Sequence, residues 1–391
     1  MEYSVHQQGG TEVLVRILAE NLGPEYEVVL VTGDTPESFQ TSHLSKMVAA
    51  HVYWPAGEPT GSRSRALASA LVAHQVRVAH FHFGGTFMWG NRIFGRCPIH
   101  YVARRGISCV STVHLVHPPL EGYIGPQRPL WVKLALFPLA WGAKCRTLAR
   151  TAAEFAVSRH DLQILKGCSG PYASRQRLIY HSAVRETEIV PGSSQREPLI
   201  LSVGTIGPRK GQAILVEAFD QVAGKFPDWV LIIAGRWDDA DPYSRRVRLA
   251  IEQSPYQKRI RVPGRIPDSE IRGLMQRSAI FAMPSLEEGL GLSLQEALLS
   301  GCPAVGTRAG GIPELIDHEV NGLLVEPGNV SAFAEGLARL MSNAARRAEL
   351  GERARESVLQ KGMTLERMIA AYARIYSQLL TTNHPTGSGR Q

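Results

Sequence analysis

Short apolar runs alternate along this chain with longer segments whose apolar positions recur at helical spacing. That alternation predicts parallel sheets covered by helices on both faces. In the first half it predicts strands over Val28–Thr32, Val78–Phe83, Ser108–Val113, Phe155–Ser158 and Leu178–His181, with helices near Glu12–Leu22, Arg63–His74 and Pro129–Arg150. A polar, turn-rich stretch from Val190 to Pro198 predicts a linker. Beyond it the pattern restarts, with strands Leu199–Val203, Trp229–Ala234, Arg259–Val262, Ile280–Met283 and Ala304–Gly306. Between them it predicts helices Gln212–Lys225, Tyr243–Gln253, Asp268–Gln276 and Leu292–Leu299. The expectation is two Rossmann-like α/β domains facing one another, over 1–190 and 198–362, then a C-terminal helix over 363–380 and a disordered tail over 381–391.

A length of 391 residues fits two domains, and 44% apolar with 20% charged residues is a globular composition. No stretch is long and apolar enough for a transmembrane helix, and the first 30 residues lack a secretory pattern, so the expectation is a cytoplasmic protein. Five cysteines, scattered and odd in number, predict reduced thiols and no metal framework. A formal charge of +8 favours an acidic partner, and the absence of zinc-finger, helix-turn-helix or ribonucleoprotein patterns argues against nucleic acid.

The chemistry concentrates between Pro284 and Glu314. Glu288 should sit on a tight loop with Gly289 and Gly291, and Glu296 inside the helix that follows. Both carboxylates can then face the crevice at the carboxyl ends of the strands, where such sheets bind ligands. A carboxylate that accepts two hydroxyl bonds is a sugar clamp, and the helix-start amides suit a diphosphate.

The E-x7-E spacing, the E-A-x3-G-x-P that begins at Glu296, the later G-G-x-P-E, and the upstream V-G-x5-K-G (Val203, Gly204, Lys210, Gly211) together resemble the family 4 retaining glycosyltransferases of GT-B fold. The likeness runs from Leu199 to about Pro327. It implies a C-terminal domain that binds a nucleotide diphosphate sugar as co-substrate, an acceptor-binding N-terminal domain, and a C-terminal helix that crosses back to the latter. By position it implies that Lys210 meets the diphosphate, Glu296 the ribose, and Glu288 the transferred sugar. The loop Gly264, Arg265 and Ile266 meets the base, with Gly289, Leu290, Gly291 and Leu292 completing the donor loop. This chain has Thr205 where the family usually has arginine, with an additional cation at Arg209.

In the first half, Gly9 and Gly10 open a helix and resemble the family's phosphate-approaching loop. His80, His82 and His114 lie at strand ends. The resemblance places His114 beside the sugar, as a catalytic residue with Glu288 and Lys210, whereas the residues alone allow core or loop roles; His117 reads as structural. Trp131–Arg150 joins an apolar face to Lys133, Lys144, Arg146 and Arg150, which Arg92, Arg96, Arg104 and Arg105 could extend. It reads equally as an anionic-membrane contact or as a core helix broken at Pro138. Asp238, Asp239 and Asp241 form a superficial D-x-D that reads better as a capping loop than as a metal site.

The implied function is retaining, metal-independent hexosyl transfer to a glycan, lipid-linked or small-molecule acceptor. The alternatives are an epimerase or phosphorylase of the same fold, or a non-catalytic nucleotide-sugar-binding subunit. Only eight residues precede Gly9, so the first strand is expected to be a stub at Glu2–Val5 or to need residues upstream of Met1.

Overall fold

The computed structural model describes residues 4, 6, 10–55, 57, 60–83, 95–117, 120, 128–188 and 196–382. The chain divides into two compact units, residues 1–181 with 366–391, and residues 182–365. Of the Glu2–Val5 stub only Ser4 is described; Gly9, Arg92 and the tail beyond Thr382 lie outside the described residues.

The first unit holds β1 (Val29–Thr32) and β2 (Ala50–Tyr53) as a parallel pair. A parallel sheet of β3 (Val78–Phe83), β4 (Ser108–Val113), β5 (Thr151–Ala156) and β6 (Gln176–Leu178) lies beside it in chain order. Its helices include α1 (Gly10–Asn21), α2 (Pro36–Gln40), α3 (Gly61–Ala73), α4 (Pro98–Ala103), α5 (Leu130–Leu148) and α6 (Arg159–Cys168).

The second unit is one continuous parallel sheet in the order β9-β8-β7-β10-β11-β12. Its strands are β7 (Glu197–Val203), β8 (Val230–Ala234), β9 (Ile260–Gly264), β10 (Ser278–Met283), β11 (Ala304–Thr307) and β12 (Gly322–Val325). Every residue of β10 is buried, as expected of a central strand covered on both faces. Around the sheet pack α7 (Gln212–Ala223), α8 (Pro242–Gln253), α9 (Asp268–Arg277), α10 (Leu292–Leu299), α11 (Ile312–Leu315), α12 (Val330–Ser342) and α13 (Ala344–Gln360). Leu215, Phe219, Phe333 and Leu337 from α7 and α12 belong to its main apolar cluster.

The last helix, α14 (Leu365–Thr382), packs with the first unit. Its Tyr372 hydroxyl bonds Thr112 at 3.0 Å and His181 at 2.8 Å, Tyr376 bonds His80 at 2.6 Å, and Tyr26 donates to the Ala373 carbonyl at 2.9 Å.

The chain enters the second unit at Ser182, earlier than the linker expected over 190–198. Residues 182–188 are already tied there: the Leu365 amide donates to the Val184 carbonyl at 3.0 Å, and the Thr364 hydroxyl to Glu186 at 2.9 Å. The fifth strand also differs from expectation, beginning at Thr151 rather than Phe155. Glu154 made this stretch read as polar, yet it is buried, because Lys144 on α5 donates to both its carboxylate oxygens. Lys144 is therefore a core residue and leaves the basic membrane-facing set. Helix α5 continues through Pro138, which lies exposed, rather than breaking there. Among the acidic loop residues, Asp241 caps α8 by accepting from the Ser244 amide at 2.7 Å, and Asp239 accepts from Trp237 Nε1 at 2.7 Å.

Candidate active site

The strand order of the second unit reverses between β7 and β10, and such a switch point opens a crevice beyond the carboxyl ends of the two strands. The two loops that leave those ends carry Lys210 and Glu288. The Lys210 ammonium donates to Glu288 Oε2, which also accepts from the Ser285 hydroxyl at 3.4 Å. The pair is only 17% and 10% exposed at its side chains, so it is partly shielded from screening.

Backbone contacts hold the two loops in register. The Arg209 carbonyl accepts from the Leu286 amide at 2.7 Å and the Glu287 amide at 3.2 Å, while the Arg209 side chain is exposed. Gly211 has φ +68°, and a Cβ there would lie 2.1 Å from the Pro284 carbonyl oxygen, so glycine is required for the loops to meet. Gly310 makes the same demand from the other side: φ is +51°, and a Cβ would stand 1.6 Å from the Glu288 carbonyl oxygen. The Gly311 amide donates to that oxygen at 3.3 Å, and the Thr307 hydroxyl donates to the Ser285 carbonyl at 2.5 Å. The Gly-Gly of the G-G-x-P-E motif thus acts as a backbone support for Glu288. Ser285 and Thr307 were not singled out from the sequence, and an apolar strand end followed by a serine gives no signal of either bond.

Gly289, Leu290 and Gly291 are buried and lead into α10, whose first residue, Leu292, is half-buried. Ser293 donates to the Val203 carbonyl at 2.9 Å, which pins the start of α10 to the end of β7. The unsatisfied amides of that first turn carry partial positive charge at the crevice. Glu296 lies one turn further along, half-buried; burial first, and the Asp268 carboxylate second, push its carboxyl up to about 7 against the opposing pull of Arg272. Asp268 opens α9 directly after the Gly264, Arg265 and Ile266 loop, so this loop and Glu296 share one electrostatic neighbourhood. Arg265 is exposed and Ile266 half-buried; Thr205 is exposed on the loop after β7.

In the first unit the histidines gather into one cluster. His82 Nδ1 and His114 Nε2 lie 3.1 Å apart, and His80 Nε2 bonds Thr112 at 2.7 Å. The His80 and His82 rings are 4.0 Å apart, and those of His114 and His181 are 5.2 Å apart. Burial pulls His80 down to about 3, assisted by His114, and burial alone pulls His114 down to about 4; His82 and His181 also fall well below the ordinary value. All four rings are neutral at pH 7. His181 and the α14 tyrosines escape a reading of the sequence because their partners are up to 296 positions away. Gly10 begins α1.

Residues 184–357 match the family described as Glycosyl transferases group 1. An N-acetyl-alpha-D-glucosaminyl L-malate synthase of Bacillus anthracis is 29% identical over 205 residues, covering 52% of each chain. A D-inositol 3-phosphate glycosyltransferase of Corynebacterium glutamicum is 32% identical over 160 residues, 40% of this chain and 38% of that protein. The chain thus spans about half the length, or less, of these curated relatives. A glycosyltransferase from Rickettsia africae superimposes with a TM-score of 0.72 at 18% identity, over 99% of this chain and 98% of that one. Anabaena HepE in complex with UDP and glucose does so with 0.73 at 19% identity, over 95% and 97%. The fold is that of the GT-B glycosyltransferases. Residues 184–357 are thus similar to the glycosyl transferases group 1 family.

Proposed function

We propose that this protein transfers a hexosyl unit from a nucleotide diphosphate sugar to a glycan, lipid-linked or small-molecule acceptor, with retention of configuration and without a metal ion. The observation that carries the reading is the Lys210–Glu288 pair at the switch point, a cation and a carboxylate held between two loops beside a helix start. A donor phosphate competes with Glu288 for the Lys210 ammonium, which frees the carboxylate to accept hydroxyl bonds from the sugar. The α10 amides, Lys210 and Arg209 meet the charge that develops on the leaving diphosphate, and this is electrostatic preorganisation. The bond from the anomeric carbon to the diphosphate breaks, the acceptor hydroxyl attacks on the same face, and its proton passes to a donor phosphate oxygen. Glu296 holds the ribose, and the loop at Gly264, Arg265 and Ile266 faces the base.

The UDP and glucose held by Anabaena HepE support a nucleotide-sugar donor. The test is incubation with UDP, GDP and ADP sugars in excess EDTA, with the anomer of the product read by NMR. Transfer with retention in EDTA is expected; strict dependence on added Mg or Mn, or inversion, refutes the reading.

We further assign the protein to the cytoplasmic side of an anionic membrane, through α5. Leu130, Trp131, Leu134 and Leu139 are 57–73% exposed along it, and exposed Arg146 supplies charge near its end. No helix among the described residues is long and apolar enough to cross a membrane. Vesicles containing phosphatidylglycerol should sediment the wild type but not the Trp131→Ser, Leu134→Ser variant; equal sedimentation removes α5 from the contact.

A further inference from the structure

Gln212, the first residue of α7, is only 2% exposed, although glutamine side chains mostly reach water. Its amide does not serve its own helix. The Oε1 atom accepts from the Gly207 amide at 3.3 Å, and Nε2 donates to the Thr205 carbonyl at 3.1 Å. Both partners lie in the loop between β7 and α7, so one neutral side chain closes that loop from inside, much as a neighbouring strand would. Burial of the amide is tolerated because both its ends are bonded.

That loop carries Lys210. The stretch Gly204 to Gly211 holds three glycines and would sample many paths without such a tie. Gly207 joins Gln212 to Lys210 directly: its amide meets Gln212, and its carbonyl accepts from the Lys210 amide at 2.9 Å. The Lys210 side chain then lies back over the end of β7, where a Cβ on Gly204 would stand 3.8–4.0 Å from its Cδ, Cε and Nζ atoms. A shift of residues 205–207 would therefore move the ammonium.

The other ties on the loop act from outside it. The Arg236 carbonyl accepts from the Ile206 amide at 3.0 Å, and the Arg209 carbonyl is held by the β10 loop through Leu286 and Glu287. Gln212 supplies the inner grip. Tyr243 of α8 offers a contrast, because its hydroxyl accepts from the Ala213 amide at 3.2 Å and so supports the same helix start rather than the loop.

We propose that Gln212 is a positioning residue for donor binding: it fixes the backbone of residues 205–207 and, through Gly207, the place from which Lys210 acts, on the reading that Lys210 is the diphosphate cation. Its neutrality suits the task, since a second carboxylate beside the loop would compete with the diphosphate for Lys210.

Amide exchange, together with titration of UDP and GDP in EDTA, tests this role. Gln212→Met should speed exchange at the Gly207 and Lys210 amides about tenfold or more and weaken the tighter nucleotide about tenfold. Gln212→Glu keeps the acceptor for Gly207 without the donor for Thr205; it should fall between, and it serves if the Met variant does not fold. Tyr243→Phe should lower Tm with neither effect. In a Lys210→Ala background, Gln212→Met should cost little further affinity, because the two residues act through one contact. An unchanged Lys210 exchange rate, or a full tenfold loss on top of Lys210→Ala, would overturn the proposal. Wild-type affinity in Lys210→Ala alone would instead refute the diphosphate reading, and the exchange rates would still decide whether Gln212 holds Lys210.

Discussion

The two units solve the same packing problem with different materials. In the second, a continuous six-stranded sheet puts its first strand at the centre, and the loops that leave β7 and β10 bring Lys210 and Glu288 together. In the first, polar groups are buried beside the sheet: Lys144 with Glu154, and four neutral histidines hydrogen-bonded or stacked among Thr112, Tyr372 and Tyr376. Glu296 in the second unit and the histidines in the first are also shifted in opposite senses. A carboxyl held up to about 7 loses folding free energy as pH rises from its unfolded value toward 7, whereas histidines held below their unfolded value lose it as pH falls through about 6.5. The difference separates a unit whose candidate site lies at a switch point of one continuous sheet from one with buried polar contacts that are costly to disturb.

The largest expected effect breaks the first unit alone. Lys144→Met strands Glu154 in the core and should destabilise by about 3–5 kcal/mol, whereas Lys144→Met with Glu154→Gln should recover much of it. Chemical denaturation followed by hydrogen exchange in β4 and β5 reads both; equal stabilities of the single and double variants would mean that the pair is solvated.

Acid should act next, and on the same unit. Each histidine that stays neutral when folded but charges when unfolded contributes about 2 kcal/mol of destabilisation by pH 5, from 1.36 kcal/mol per pH unit below about 6.5. Amide exchange in β3, β4 and α14 should therefore accelerate between pH 6.5 and 5 while β7 and β10 hold. Uniform acceleration in both units would contradict the contrast.

At the switch point the effects are smaller and appear on binding. Lys210→Ala and Glu296→Gln should each weaken donor binding or turnover by roughly 1.5–3 kcal/mol, the range of a charge-assisted hydrogen bond. Glu296 adds a pH signature: donor binding should strengthen as pH rises through about 7 and the carboxylate forms, and Glu296→Gln should flatten that profile. A profile unchanged in the variant would remove Glu296 from the ribose site.

The sequence was most legible where burial on both faces wrote an uninterrupted apolar run. The expected strand Ile280–Met283 falls inside β10, and the expected helix Leu292–Leu299 coincides with α10. It was least legible where a strand is short or carries polar residues. Strand β2, Ala-His-Val-Tyr, is half-exposed and has no alternation to detect, and β5 hid behind the charge of Glu154, whose partner is on another element. Lys210 and Glu288 could be singled out by motif, but their mutual contact across 78 positions, and the backing of Glu288 by Gly310, follow only from the parallel pairing of β10 with β7 and β11.

The central proposal is that the diphosphate binds in the crevice between β7 and β10. Calorimetric titration of UDP and GDP in EDTA, into wild type and Lys210→Ala at matched stability, tests it most directly. At least one nucleotide should bind the wild type without metal and bind the variant roughly tenfold or more weaker, from the loss of one charge-assisted bond. Equal affinity in the two proteins, or binding that appears only when a divalent metal is added, would contradict it.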